Sequence, residues 1–159
     1  MYYTMRPLQI SEYPVLNEFL YEAIFIPEGA EAPPKSIIDQ PELQVYVSEF
    51  GTQKDDICFV AEADDRIVGA VWVRDMEDYG HIADGIPSFA VSLYKEYRGF
   101  GIGTALMKRM LNELKQRGYA KASLSVQKKN YAFKMYQKLG FEICGENEEE
   151  YIMVYLLQR

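Results

Sequence analysis

The sequence predicts a mixed α/β fold, on three observations. Short runs rich in Val, Ile and aromatic residues alternate with segments whose apolar residues recur every three or four positions. Two such runs, Ile57 to Ala63 and Arg66 to Arg74, are separated only by Asp64-Asp65, the mark of a tight hairpin. A further run, Phe89 to Leu93, passes through the glycine-rich stretch Tyr97-Arg98-Gly99-Phe100-Gly101-Ile102-Gly103-Thr104 into a long helical pattern.

The elements follow in order. Tyr2 to Pro7 reads as a strand, and Ser11 as the N-cap of a helix reaching about Ile24. Pro27, Gly29, Pro33 and Pro34 make Ile26 to Pro34 a loop. A short helical stretch begins at Lys35, breaks at Pro41 and resumes to Phe50. After the hairpin, Asp75 to Gly85 is polar and turn-rich. Ile102, Leu106, Met110 and Leu114 fall four apart with Met107 and Leu111 alongside. Ile102 to Gln116 is therefore a helix with one core-facing stripe opposite Lys108, Arg109, Lys115 and Arg117. Lys121 to Val126 is a strand, Asn130 to Leu139 a helix, and Phe141 to Cys144 and Tyr151 to Leu156 are strands joined by an acidic turn, Glu146 to Glu150.

With 159 residues, 48% of them hydrophobic, the chain can bury one core, so residues 1–159 are expected to form a single domain. No apolar run reaches membrane-spanning length and the N-terminus lacks a signal peptide's basic and apolar regions, which makes the cytoplasm the expected location. Cys58 and Cys144 lie in apolar strand segments without metal-ligand spacing; both are expected to be small core residues, and no metal is expected. The net charge of −7 is unevenly spread. Tyr94 to Gly140 holds 11 Lys/Arg against 2 Asp/Glu, a surplus of +9, leaving −16 for the rest. A positive stretch around the glycine turn suits a phosphorylated ligand, while the acidic remainder argues against nucleic acid and is compatible with a cationic one.

Glycines at alternate positions where a helix begins leave main-chain N–H groups bare, and the helix dipole adds partial positive charge. Such a turn cradles phosphate or pyrophosphate. A dinucleotide fingerprint would place G-x-G-x-x-G early, with an acidic residue about twenty positions later; here Lys121-Ala122-Ser123 fills that slot. A P-loop would end in Gly-Lys-Ser/Thr, and Gly103-Thr104-Ala105 lacks the lysine. A nucleotide-binding protein remains an alternative, weakened by both absences.

Arg98-Gly99-Phe100-Gly101-Ile102-Gly103 resembles the R/Q-x-x-G-x-G/A acyl-CoA signature of GNAT-superfamily N-acetyltransferases. The segment Asn130-Tyr131-Ala132-Phe133-Lys134-Met135-Tyr136-Gln137-Lys138-Leu139-Gly140-Phe141 is similar to the family's N-x-A-x-x-L-Y-x-K-x-G-F element, at the family's distance from the first motif. The resemblance implies a mostly antiparallel, six- to seven-stranded sheet with a splayed central strand pair, flanked by helices. It also implies acetyl-CoA as co-substrate and direct attack by a primary amine of a small molecule or peptide. The pantetheine arm would lie along Ala90 to Leu93, with a main-chain contact at Leu93. Arg98, Gly99, Gly101, Ile102, Gly103 and Thr104 would hold the pyrophosphate, so that a bulky residue at Gly101 meets ligand before it disturbs the core.

Asn130 matches the family asparagine that contacts the pantetheine arm, and is equally an N-cap. Tyr136 matches the general-acid tyrosine that protonates the departing thiolate; the alternative is a core tyrosine among the 13 of this chain. The general base stays open. Ser88 stands where many relatives carry glutamate, and His81, Asp84, Glu22 or a water chain are the candidates nearby. The Ile26–Pro34 and Asp75–Gly85 loops, with Tyr21, Phe25 and Tyr79, are candidates for shaping the acceptor site. A homodimer is common in the family. A sensor of the same fold that binds acyl-CoA without turnover is the other functional class.

Overall fold

The computed structural model describes residues 1–158. Seven strands form one sheet: β1 (Thr4–Pro7), β2 (Ile57–Ala63), β3 (Arg66–Arg74), β4 (Ser88–Leu93), β5 (Lys121–Gln127), β6 (Glu142–Glu146) and β7 (Glu150–Leu156). Their order is β1-β2-β3-β4-β5-β7-β6, and every neighbouring pair is antiparallel except β4 with β5. The Asp64-Asp65 hairpin turn forms as expected, both residues at positive φ (53° and 61°).

Alternation along β2 and β3 assigns the helices to opposite faces. Ile57, Phe59, Val71 and Val73 pack with α3 (Ile102–Gln116) and α4 (Ala132–Leu139). Cys58, Val60, Ala70 and Trp72 pack with α1 (Leu16–Glu22) and the region of α2 (Pro41–Gln44). Both faces of these strands are covered, which is why they read as continuous apolar runs rather than alternating ones. The predicted stripe of α3 is the buried one, with Ile102, Leu106, Met107, Met110 and Leu114 at 0% exposure.

Three local readings are corrected. Ser11 is not an N-cap: Ile10–Val15 is a 3-10 turn capped by Gln9, whose N–H bonds Glu12, and Pro14 lies inside it, so the α-helix begins only at Leu16. The helical stretch from Lys35 does break at Gln40–Pro41, but Pro41 itself opens the next helix at its first turn, and that helix ends at Gln44 instead of reaching Phe50. Cys144 is exposed on the edge strand β6, whereas Cys58 is buried; Glu142 and Ile143 beside Cys144 are exposed as well, because this edge strand lies outside the packed core.

At the end of β3, Arg74 is fixed by five bonds. Its Nε and Nη2 donate to Asp56 at 2.9 and 3.2 Å, and Nη1 donates to the carbonyls of Val45 (3.1 Å) and Ser48 (2.7 Å). The fifth is a contact of its guanidinium with the Phe50 ring, 5.4 Å from the centroid. The α2 region is thereby tied to the end of β3 that leads into the Asp75–Gly85 loop.

Candidate active site

The β4–β5 pair is joined at one point, Ser88 opposite Ser123, with the Ser123 N–H donating to the Pro87 carbonyl at 3.0 Å. Beyond it the two strands splay. An antiparallel ladder exchanges bonds at every second residue. The Tyr94 N–H donates to Val68 at 3.0 Å, so the even-numbered residues of β4 bond to β3. Phe89, Val91 and Leu93 consequently turn their main-chain groups toward the gap. The gap is a slot bordered by the open main-chain edge of β4.

The glycine turn closes one end of the slot. Gly99 and Gly101 both adopt left-handed conformations (φ 86° and 83°), and a Cβ built on either would meet no atom within 4 Å. Gly101 is the N-cap of α3, and the first bond of the helix runs from Ala105 back to it. Among the described residues, the N–H groups of residues 99 to 104 donate to no other protein group. These consecutive bare donors at a helix N-terminus, with empty space before them, form an anion cradle.

The other predicted residues take varied places. The Leu93 side chain is buried against Gly69, where an added Cβ would lie 2.1 Å from Leu93 Cδ2, and reaches Gly103, where the corresponding gap is 3.6 Å. Ile102 is fully buried, so only its main chain is available to a ligand. Thr104 is half-buried on the first turn of α3. Arg98 does not project from the turn. Its Nε donates to the Leu93 carbonyl at 3.0 Å and its Nη2 reaches the Glu22 carbonyl (3.2 Å) and carboxylate (3.4 Å), clipping the turn to β4 and α1. Asn130 is not the N-cap of α4, a position held by Tyr131; its Oδ1 accepts from the Ala132 N–H at 2.9 Å in a turn just before the helix, and its Nδ2 makes no bond among the described residues. Tyr136 lies on α4 with 8% exposure, packed by Phe141 at 5.9 Å between ring centroids. Its hydroxyl makes no hydrogen bond among the described residues, and burial pushes the phenol well above its ordinary value near 10.

The family model described as "Acetyltransferase (GNAT) domain" matches residues 21–155, a span that contains the slot, the cradle and Tyr136. The chain belongs to the GNAT acetyltransferase family. N-acetyltransferase 8B of Homo sapiens is 32% identical over 104 residues, 64% of this chain and 44% of that protein, so the chain spans less than half of that relative. N-alpha-acetyltransferase 30 of Schizosaccharomyces pombe is 31% identical over 65% of this chain and 69% of its own length. A PaiA N-acetyltransferase of Thermoplasma acidophilum, solved in complex with coenzyme A, superposes over 98% of this chain and 99% of that one, with a TM-score of 0.72 at 22% identity.

The α1 face of this GNAT sheet carries a polar group around Ser88 whose other members, Asp78, Tyr46 and Ser123, the sequence reading missed. Ser88 is fully buried and donates to Asp78 Oδ2 at 2.9 Å; Tyr46 donates to the same oxygen at 2.8 Å. Gly80 presses into the start of the splay, an added Cβ standing 3.0 Å from the Leu124–Ser125 main chain and 3.1 Å from Ser88 Oγ. The available signal was the alternation of β5, where Ala122, Leu124 and Val126 face the α3 core while Ser123, Ser125 and Gln127 face the other side. The three residues considered as a base make no side-chain bond to this cluster among the described residues, although the His81 N–H donates to the Asp78 carbonyl at 3.1 Å. Glu22 is held by Arg98. The His81 ring Nδ1 is 2.9 Å from the Met76 carbonyl, and Asp84 is 94% exposed beside it. Tyr21 donates to the Pro33 carbonyl at 2.5 Å, Phe25 is half-buried and Tyr79 exposed.

Asp75, His81 and Asp84, the first two partly buried and the last exposed, bring possible ligand atoms within 4.8 Å of one another in the same loop. A separate groove of about 660 Å³ runs between α3, α4 and β7, lined by Lys108, Lys115, Lys138, Leu139, Tyr155 and Leu156 among others. Part of the positive stretch therefore faces away from the cradle, and part is neutralised by Glu113 and Glu146.

Proposed function

We propose that this chain is an acetyl-CoA-dependent N-acetyltransferase, acting as one domain over residues 1–159, that acetylates a primary amine of a small molecule or peptide by direct attack. The single observation that carries the reading is the cradle of bare N–H donors at residues 99–104, opening onto the free edge of β4. Coenzyme A carries a pyrophosphate and an amide-bearing arm, and these two features of the chain match them in order along the slot. When bound, acetyl-CoA supplies a thioester carbonyl open to a nucleophile.

The residues divide the remaining work. Main-chain N–H groups of Gly99, Gly101, Ile102, Gly103 and Thr104 hold the pyrophosphate. Phe89, Val91 and Leu93 offer strand-like bonds to the arm, and the Asn130 Nδ2 offers one more from the turn before α4. Arg98 acts as the clip that shapes the turn instead of a direct phosphate ligand. Tyr136, kept protonated by burial, holds the proton that the departing thiolate needs.

The test is acetyl-CoA binding by calorimetry together with thiol release across polyamines, amino acids, aminoglycosides, arylamines and short peptides. Saturable binding and acceptor-dependent release are expected. Gly101→Asn is the companion variant, since asparagine tolerates a left-handed φ while its side chain fills the space before the turn. It should fold normally and bind acetyl-CoA at least about tenfold more weakly, roughly the loss of one or two charge-assisted bonds. Binding without release from any acceptor would favour the acyl-CoA sensor; wild-type affinity in Gly101→Asn would remove the cradle from the account.

A further inference from the structure

We propose that the acceptor is received as an ammonium ion on the α1 face of the sheet, between the carboxylates of Asp78 and Glu150. The inference deepens the functional reading above and rests on it. It begins from unfulfilled bonds. Among the described residues, Asp78 Oδ1 is buried without a partner, although Oδ2 of the same carboxylate accepts from both Tyr46 and Ser88. Ser123 is at 0% exposure and its Oγ is also unpartnered. Directly opposed residues of neighbouring strands share a face, so Ser123 points to the side on which Ser88 meets Asp78. A buried hydroxyl and a buried carboxylate oxygen left without partners mark a place built for a further polar group.

The charge at this place has one sign. Glu150 stands opposite Gln127 in the β5–β7 ladder and accepts from its Nε2 at 2.9 Å, on the same face as Ser123 and Ser125. Its carboxyl is raised by burial and by the charges of Glu149 and Asp78. Tyr46 donates to Asp78, and its phenol is raised by burial, by the Asp78 carboxylate and by the Glu150 charge. Among the described residues, no Lys, Arg or His forms an ion pair with Asp78 or Glu150. This contrasts with Asp56, whose carboxylate is answered by Arg74. Two part-buried carboxylates without a counter-charge, one with a buried unpartnered oxygen, suit a cation with several N–H donors, which answers both the charge and the orphaned acceptors. A primary ammonium is the smallest group that does so, and the deprotonated fraction of that amine is the nucleophile the reaction uses.

The cluster lies beside the single β4–β5 contact, where the slot begins, and the Asp75–Gly85 loop presents it. The placement gives that loop its role in reading the acceptor. It also gives the acidic part of the chain a local function distinct from the positive surround of the glycine turn.

The test titrates diaminobutane, and butanediol as its uncharged counterpart, into protein saturated with CoA, and repeats both titrations on the free protein. Diaminobutane should bind and butanediol should not. Asp78→Asn and Glu150→Gln keep the acceptor oxygens used by Tyr46, Ser88 and Gln127, so both should fold and bind CoA as wild type does. Each should weaken diaminobutane binding by about tenfold or more, the loss of one bond to a charged group. Equal binding of diamine and diol, or variants that bind the diamine as wild type does, would overturn the inference. Failure of CoA itself to bind would overturn the functional reading instead, and the titration of free protein would still judge the Asp78–Glu150 site on its own.

Discussion

Replacing Tyr136 with phenylalanine should lower kcat for amine acetylation by about 10²–10⁴-fold while leaving acetyl-CoA affinity within about twofold, the range expected when one proton-transfer group is removed. The substitution deletes a hydroxyl that bonds to nothing else among the described residues. The ring stays packed on Phe141, so folding should be unaffected. KM for the acceptor should change little, because the lost interaction is made as sulfur departs and not in the ground state. The pH dependence has a definite sign. Burial raises the phenol above its ordinary value near 10, so the donor is present throughout the physiological range and is lost only as pH rises past the raised value. No falling limb of kcat below about pH 10 should belong to this group. Stopped-flow thiol release on both proteins would check this; an unchanged kcat in Tyr136→Phe would make Tyr136 a core residue and place the acid elsewhere.

Asp56→Ala should cost about 3–5 kcal/mol of unfolding free energy, the range for removing one partner of a buried ion pair. The side chains of Arg74 and Asp56 are 5% and 0% exposed, so an unanswered guanidinium would remain inside. Asp56 also accepts from the exposed Gly51 and Gln53 N–H groups (2.9 and 3.2 Å), so the loop loses two bonds that water replaces. Replacing both partners, Asp56→Ala with Arg74→Leu, should cost less than the two single changes together, since no charge is then stranded. Urea denaturation of the four proteins measures the cycle. Additive costs would mean that the pair stabilises through its separate loop contacts alone.

What the sequence revealed and what it hid divide along physical lines. The strands β2 and β3 and the helix α3 were legible to the residue because their apolar patterns answer directly to burial. The GNAT motifs placed the cradle and Tyr136 on the right elements because a bare helix N-terminus is a local property of the glycines. Segments governed by neighbours were not legible. The run from Ile10 to Phe50 breaks into 3-10 turns and short helices, because Pro14, Pro41 and the bonds to Arg74 override its helical preference. Arg98 belongs to the signature, yet its guanidinium is drawn back by the Leu93 carbonyl and Glu22, partners five and 76 positions away. Asp78 gave no signal at all. It is one acid in a polar loop, and its meaning comes from Tyr46, Ser88, Ser123 and Glu150, which only the folded sheet assembles.

The central claim is that residues 99–104 and the odd-numbered edge of β4 form one acyl-CoA slot, and backbone amide NMR during titration with CoA tests it most directly. The account predicts saturable shifts at Gly99 through Thr104 and at Val91 and Leu93, with little change along the groove of Lys108, Lys115 and Lys138. Shifts confined to that groove, with the amides of the glycine turn unmoved at saturation, would contradict it.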